Sequence, residues 1–170
     1  VELKIPIEKI KNTLKTFTDV QRRFQNVGNF KNTTIIDDYG HHPVEINAAL
    51  AAARLLAPKS KIISIFQPHR YSRIKDLFND FCSCFNDADY VFLLDVYPAG
   101  EEPLKGFEST DLKNGLLKYG HKNVSYIESK KALIRETLKI ISPHDIIICL
   151  GAGSITKIAN TLEKELYNGS

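Results

Sequence analysis

The sequence predicts an α/β fold: a Rossmann-like three-layer sandwich, with a mostly parallel sheet of about six strands and helices on both faces. Two observations predict it. Short apolar runs rich in Val and Ile suit strands buried on both faces, and segments with helical spacing alternate with them along most of the chain. A third observation locates function. Each polar cluster follows a strand at its carboxyl end, where ligands bind in open parallel sheets.

The strand candidates are Thr33–Asp37, Lys61–Phe66, Tyr90–Asp95, Val124–Ile127 and Asp145–Leu150. Pro43–Leu56 reads as a helix that begins with proline, whose missing N–H costs nothing in a first turn. Arg73–Phe85 carries Leu77, Phe78, Phe81 and Phe85 at helical spacing. Thr110–Tyr119 follows a candidate cap at Ser109, and Ser129–Ile140 and Ser154–Tyr167 complete the helices. The start of the chain differs: Ile5–Phe17 reads as an amphipathic helix and Thr18–Phe30 as an irregular basic segment. Residues 1–30 are therefore expected to be a lead-in and linker, and residues 31–170 the domain itself.

A chain of 170 residues is long enough to bury a core as one domain, and 43% hydrophobic with 25% charged residues excludes a disordered composition. The net charge of +3 comes without a basic stripe, which argues against nucleic acid. Arg70, Arg73 and Lys75 suit a local anion site instead. No apolar run approaches the roughly 20 residues of a membrane helix, and no stretch of this sequence reads as a signal peptide. Cys82, Cys84 and Cys149 have neither metal nor disulfide spacing and read as small buried hydrophobes in a reducing compartment. The chain begins at Val1 and contains no methionine, so it reads as a piece of a longer protein.

Four clusters carry the chemistry: Asp37–Pro43, Phe66–Arg73, Asp95–Pro103 and Gly151–Ser154. Together they put three of the five histidines on one expected edge of the sheet. His41 and His42 precede a helix start, where a donor helps hold an anion, though two adjacent histidines also read as surface decoration. No third ligand is spaced for a metal. Asp37 and Asp38 read equally as turn or cap residues and as acceptors for ribose hydroxyls. Arg70 and Arg73, three apart at a helix start, can share a face and bind a carboxylate or phosphate; a solvated basic turn is the alternative. Glu101 and Glu102 fit a solvated loop or a site wall. Gly151-Ala152-Gly153 lacks the third glycine of a dinucleotide fingerprint, because Thr156 stands there.

These clusters resemble the Mur ligase family. Its C-terminal domain carries D-D-Y-[GA]-H-H-P, F-Q-P-H-R-Y-[ST]-R, D-V-Y-x-A-G-E-x-P and G-A-G, all present here in order over about residues 17–166. The second motif is the most specific. Two departures stand out: Asp19 replaces a glycine of the lead-in motif that Phe17, Val20, Arg22, Arg23 and Phe24 otherwise match, and Ser154 stands where Asp is common. No G-K-[ST] phosphate loop occurs.

The resemblance implies a domain of an ATP-dependent ligase of peptidoglycan synthesis in the bacterial cytoplasm. The branch it is most similar to joins L-alanine to UDP-N-acetylmuramate through an acyl phosphate. Asp38 would then bind the ATP ribose and Tyr39 would line the nucleotide and alanine side. His41 would face the γ-phosphate or acyl phosphate. Arg70 and Arg73 would fix the alanine carboxylate and the transferring phosphate, and His69 would sit by the incoming amine, its role as a base left open. ATP and Mg2+ would be held mainly by a central domain and the sugar nucleotide by an N-terminal one, so this piece alone would be inactive. Alternatives are the ligase that recycles a ready-made tripeptide and a non-catalytic nucleotide-binding α/β module.

Overall fold

The computed structural model describes residue 8 and residues 21–170; apart from Glu8, which is helical, the helix expected over Ile5–Phe17 lies outside the described residues. Six strands, β1 (Gln25–Phe30), β2 (Thr33–Asp38), β3 (Ile62–Phe66), β4 (Tyr90–Leu93), β5 (Val124–Tyr126) and β6 (Ile146–Leu150), form one sheet in the order β1-β2-β6-β3-β4-β5. Every pairing from β2 to β5 is parallel, and β1 runs antiparallel to β2. The expected architecture is thus the observed one. The correction falls on Thr18–Phe30: its last six residues are not irregular but form the edge strand β1. The strand alternates poorly and carries a bulge between Asn26 and Gly28, which hides its signal.

Side-chain alternation along the strands splits the core into two layers. On β6, Ile146, Ile148 and Leu150 join one apolar cluster, while Ile147 and Cys149 join the other. The first cluster takes Ile46, Leu50 and Ala53 of α1 (Pro43–Leu56), Phe81 of α3 (Phe78–Ser83), and Leu112 and Leu116 of α4 (Ser109–Lys118). The second takes Leu133 and Ile134 of α5 (Lys130–Ile140) and Ala159, Leu162 and Leu166 of α6 (Ile155–Gly169). All three cysteines are free and buried, and burial pushes the Cys82 thiol up to about 11, as the inert reading requires.

Two helix expectations change. The segment Arg73–Phe85 is two short helices, α2 (Tyr71–Asp76) and α3, because Leu77 leaves the helical region at φ −121, ψ 26 and serves both as the cap that ends one and the cap that begins the next. Ser109 is not the cap of α4: Glu108 is, with Asp111 returning a bond to its backbone N–H at 2.9 Å. The Ser109 hydroxyl instead donates to Leu94 O at 2.6 Å and ties α4 to the end of β4.

Because β6 lies between β2 and β3 and Ile148 is fully buried, Ile148→Ala is expected to lower stability by about 2–5 kcal/mol. Urea denaturation followed by circular dichroism measures this; an unchanged midpoint would contradict the central place of β6.

Candidate active site

In a parallel sheet the loops that leave the carboxyl ends share one rim, and here short backbone bonds hold them in step. Gln67 N–H donates to Leu150 O, Leu94 N–H to Phe66 O and Gly151 N–H to Asp38 O, at 3.0, 2.9 and 3.2 Å. Gly151 adopts φ +147, and a Cβ there would meet Gln67 O at 2.7 Å, so the turn after β6 needs glycine. On this rim Tyr39, His41, His69, Arg70 and Arg73 line a single open pocket of about 550 Å3, with Ser72, Asp76, Leu77 and Ala152. A larger groove of about 630 Å3 between α5 and α6 is lined by Ile134 and Leu138 and by Lys130, Lys131 and Arg135 beside Glu165. It gathers no convergent catalytic groups, so chemistry rather than volume marks the site.

The rings form a row across three loops. Tyr39 meets His41 edge-on at 5.2 Å, His41 lies 5.8 Å from His69, and His69 stacks on Tyr97 at 5.3 Å with 16° between the planes. Tyr97 is fixed by its backbone: its N–H donates to Pro68 O at 2.8 Å and its O accepts from Arg70 N–H at 2.9 Å. Those bonds hold Arg70 at φ +73, a conformation that costs a non-glycine residue energy.

Arg70 and Arg73 do not share a helix face as their spacing suggested, because Arg70 caps α2 with extended ψ and lies outside it. The Arg70 guanidinium reaches toward Glu101 at 3.8 Å and is half exposed. Arg73 folds back, donating from Nη1 to His69 O at 3.0 Å and lying 3.3 Å from His69 Nδ1. Glu101 holds Ser72, which lines the pocket: its carboxylate accepts from Ser72 Oγ at 2.6 Å and from Ser72 N–H at 3.0 Å.

Asp38 is set back from the pocket. It is 8% exposed, and its two oxygens accept from Phe24 N–H and Gly40 N–H, each at 2.7 Å. A carboxylate has about four acceptor positions, so capacity for a ribose hydroxyl remains while the residue holds its loop. His42 is a helix cap, accepting from Val44 N–H at 3.3 Å, while Glu45 accepts from His41 N–H and His42 N–H at 3.0 and 3.1 Å. Burial raises the Glu45 carboxyl, but the two backbone bonds and His41 outweigh it and leave it below the ordinary value. Among the described residues no group of three His, Cys, Asp or Glu side chains is arranged to hold a metal.

Three further residues complete the site's frame. Tyr97 belongs to the Asp95–Pro103 cluster, where a ring in a loop with two prolines and one glycine is the signal for it. Gln67 accepts at Oε1 from Ile155 N–H at 3.0 Å and so caps α6 from another loop, which no local pattern reveals. Arg22, placed in the linker by its position, has its guanidinium 4.7 Å from the Tyr39 ring centre, 3.6 Å from the buried Asp37 and bonded to Gly151 O. Its own O accepts from Tyr39 N–H at 2.7 Å. The lead-in is therefore part of the site's frame.

The sequence matches the family model of the Mur ligase glutamate ligase domain over residues 22–153. It is 48% identical to the UDP-N-acetylmuramate–L-alanine ligase of Paramagnetospirillum magneticum, over 97% of this chain and 34% of that protein. Among solved structures it is similar to the UDP-N-acetylmuramate–alanine ligase of Thermotoga maritima, with TM-score 0.69 and 28% identity over 92% of this chain and 32% of that one. A domain assigned to a UDP-N-acetylmuramate:L-alanyl-γ-D-glutamyl-diaminopimelate ligase of Haemophilus ducreyi shares the fold, with TM-score 0.63 and 21% identity over 85% of this chain and 99% of that one. The chain spans about a third of the length of the curated relatives it matches.

Burial, then Arg73, His41 and Arg70, push the His69 ring below its ordinary 6.5, with Glu101 opposing. The unfolded chain then binds the extra proton first, so His69 contributes stability that is lost as pH falls from 6.5 through the lowered folded value. An NMR titration is expected to place His69 below 6.5, and Arg73→Gln is expected to move it upward. A His69 titration unmoved by Arg73→Gln would remove the arginine from the ring's surroundings.

Proposed function

This chain belongs to the Mur ligase family, and on that premise we propose that it is the amino-acid-binding domain of a bacterial cytoplasmic enzyme that joins L-alanine to UDP-N-acetylmuramate at the expense of ATP, in peptidoglycan synthesis. One observation carries the reading: Tyr39, His41, His69, Arg70 and Arg73, from two separate loops, line one pocket. The 48% identity to a ligase of that specificity supports the choice of amino acid and sugar nucleotide.

The reaction forms an amide from a carboxylate and an amine by way of an acyl phosphate. Its demands are positioning and the stabilisation of negative charge. Arg73 and Arg70 offer planar donors for the alanine carboxylate and the transferring phosphate. Tyr39 offers a ring face for the nucleotide, with the spare acceptor positions of Asp38 behind it. His41 and His69 lie side by side, with Arg73 against His69, where the phosphoryl group and the incoming amine would meet. The amino acid's size is limited by the row of rings, since selectivity among apolar side chains comes from excluding methylenes.

The described residues do not fit a Mg2+ cage, so the ion that accompanies ATP in such chemistry would be held by parts of the protein beyond this chain, with the phosphate loop and the sugar-nucleotide site. Residues preceding β1 would link to those parts, and the domain boundary then falls before Gln25 rather than at residue 31. Closure of the two parts over the pocket would exclude water that hydrolyses an acyl phosphate.

In the full-length protein, Arg73→Ala is expected to lower kcat/KM for alanine by roughly 10²-fold, the scale of losing a charged hydrogen-bond partner. The steady-state phosphate-release assay that measures it should give no turnover when a tripeptide replaces alanine. Unaltered kinetics in Arg73→Ala would take Arg73 out of the site, and turnover with the tripeptide alone would favour the recycling ligase.

A further inference from the structure

We propose that the two histidines of the pocket have opposite hydrogen-bonding roles: His41 accepts the proton of the attacking amine at Nε2, and His69 donates a hydrogen bond from Nε2 to the oxygen that becomes negative. The proposal rests on the ligase reading for its reaction, and on side-chain geometry for the assignment.

The partner of each Nδ1 decides the matter. His41 Nδ1 lies 3.0 Å from Tyr39 O, and a carbonyl oxygen only accepts. Nδ1 of His41 therefore carries the hydrogen, and the neutral ring has its lone pair on Nε2. His69 Nδ1 lies 3.3 Å from Arg73 Nη1, and a guanidinium only donates. Nδ1 of His69 is therefore the acceptor, and the neutral ring has its hydrogen on Nε2. A ring in that form has no free lone pair with which to take a proton.

The surroundings favour the same division once charge moves. Protonated His41 would keep its bond to Tyr39 O and gain the Glu45 carboxylate, whose Oε2 lies 3.6 Å from Nδ1. Glu45 is itself held by the N–H groups of His41 and His42, so the stabilising charge is fixed in place. Protonated His69 would put its new charge against the Arg73 guanidinium, with Arg70 close by, and its lowered titration reflects that opposition in part. Tyr97, stacked on His69, fixes the plane of the ring that donates.

The geometry also fits the substrates. The amine of an α-amino acid sits on the carbon next to its carboxylate. With the carboxylate on Arg73 and Arg70, the amine lies over the pair of rings, whose centres are 5.8 Å apart. The amine nitrogen attacks the carbonyl carbon of the acyl phosphate. As the N–C bond forms, one N–H proton passes to His41 Nε2 and negative charge builds on the carbonyl oxygen, which accepts from His69 Nε2–H. The C–O bond to phosphate then breaks and phosphate leaves with the electron pair. His41 returns its proton to solvent.

The tautomers are read directly from the 15N shifts of histidine-labelled wild-type chain, a fair system because a domain of this fold was crystallised apart from the rest of its protein. The expected result is Nδ1–H for His41 and Nε2–H for His69 at a pH where both are neutral. The opposite assignment at either ring would overturn the proposal. Kinetics of the full-length enzyme give the second arm. His41→Gln is expected to lower kcat by about 10²–10⁴-fold, the range for losing a general base, with alanine KM changed little. His69→Gln, which keeps an N–H donor, is expected to lose much less. A larger loss in His69→Gln than in His41→Gln would reverse the roles. If the wild-type enzyme turns over no amino acid, the ligase reading and the base role fall together, while the NMR spectrum still reports whether the geometry was read correctly.

Discussion

The parallel register of β6 between β2 and β3 is the constraint on which the rim depends. Asp38 pairs with Leu150, and Leu150 with Phe66, so three strands end level with one another. Each strand then hands its loop to the next through a backbone bond. Because side chains alternate with period two, a slip of one residue in β6 would turn Ile148 and Leu150 toward the wrong helical layer. The apolar core thus fixes to within one residue where Tyr39, His69 and the Gly151 turn emerge. Site geometry follows from the burial of isoleucines a few residues below it.

Above that frame, the pocket concentrates cationic groups and keeps their mutual repulsion tolerable. Arg70 is half exposed and has Glu101 within 3.8 Å. Arg73 spends one nitrogen on a carbonyl. The His69 ring is pushed below its ordinary value by burial and by these cations. Arg22, beneath Tyr39, is set against Asp37, which is 1% exposed. Arg22 Nε and Asp37 Oδ1 are nonetheless buried without hydrogen-bond partners, a costly arrangement for a residue that merely joins two segments. What it secures is the seat of the Tyr39 ring, since the same guanidinium touches that ring and Gly151 O.

Most of the fold was legible because its strands are buried on both faces and read as unbroken apolar runs. β1 was not, since an edge strand with a bulge has neither a continuous run nor a clean alternation. The pocket was legible in membership: five residues named from the sequence line it together. It was not legible in detail. The spacing of Arg70 and Arg73 suggested one helix face, but the left-handed backbone of Arg70 sends the two side chains to different partners. Gln67 capping α6 and Arg22 supporting Tyr39 are contacts across long stretches of chain, beyond the reach of local pattern.

A passive nucleotide-binding module would have little use for the way this rim is built. Arg70 sits at φ +73, at a cost on the order of 1–3 kcal/mol. The strain persists because the bridge between His69 and Tyr97 requires it: Arg70 N–H must meet Tyr97 O for the two loops to pair beyond the ends of β3 and β4. That pairing brings Tyr97 flat against His69. The expense therefore goes into the orientation of one imidazole ring that lies 5.8 Å from a second imidazole. A binder gains affinity from donors wherever they reach the ligand, whereas a reaction gains rate only when the groups are aligned before the charge appears. The energy stored at Arg70 is spent on alignment, which is the stronger physical argument for catalysis at this rim.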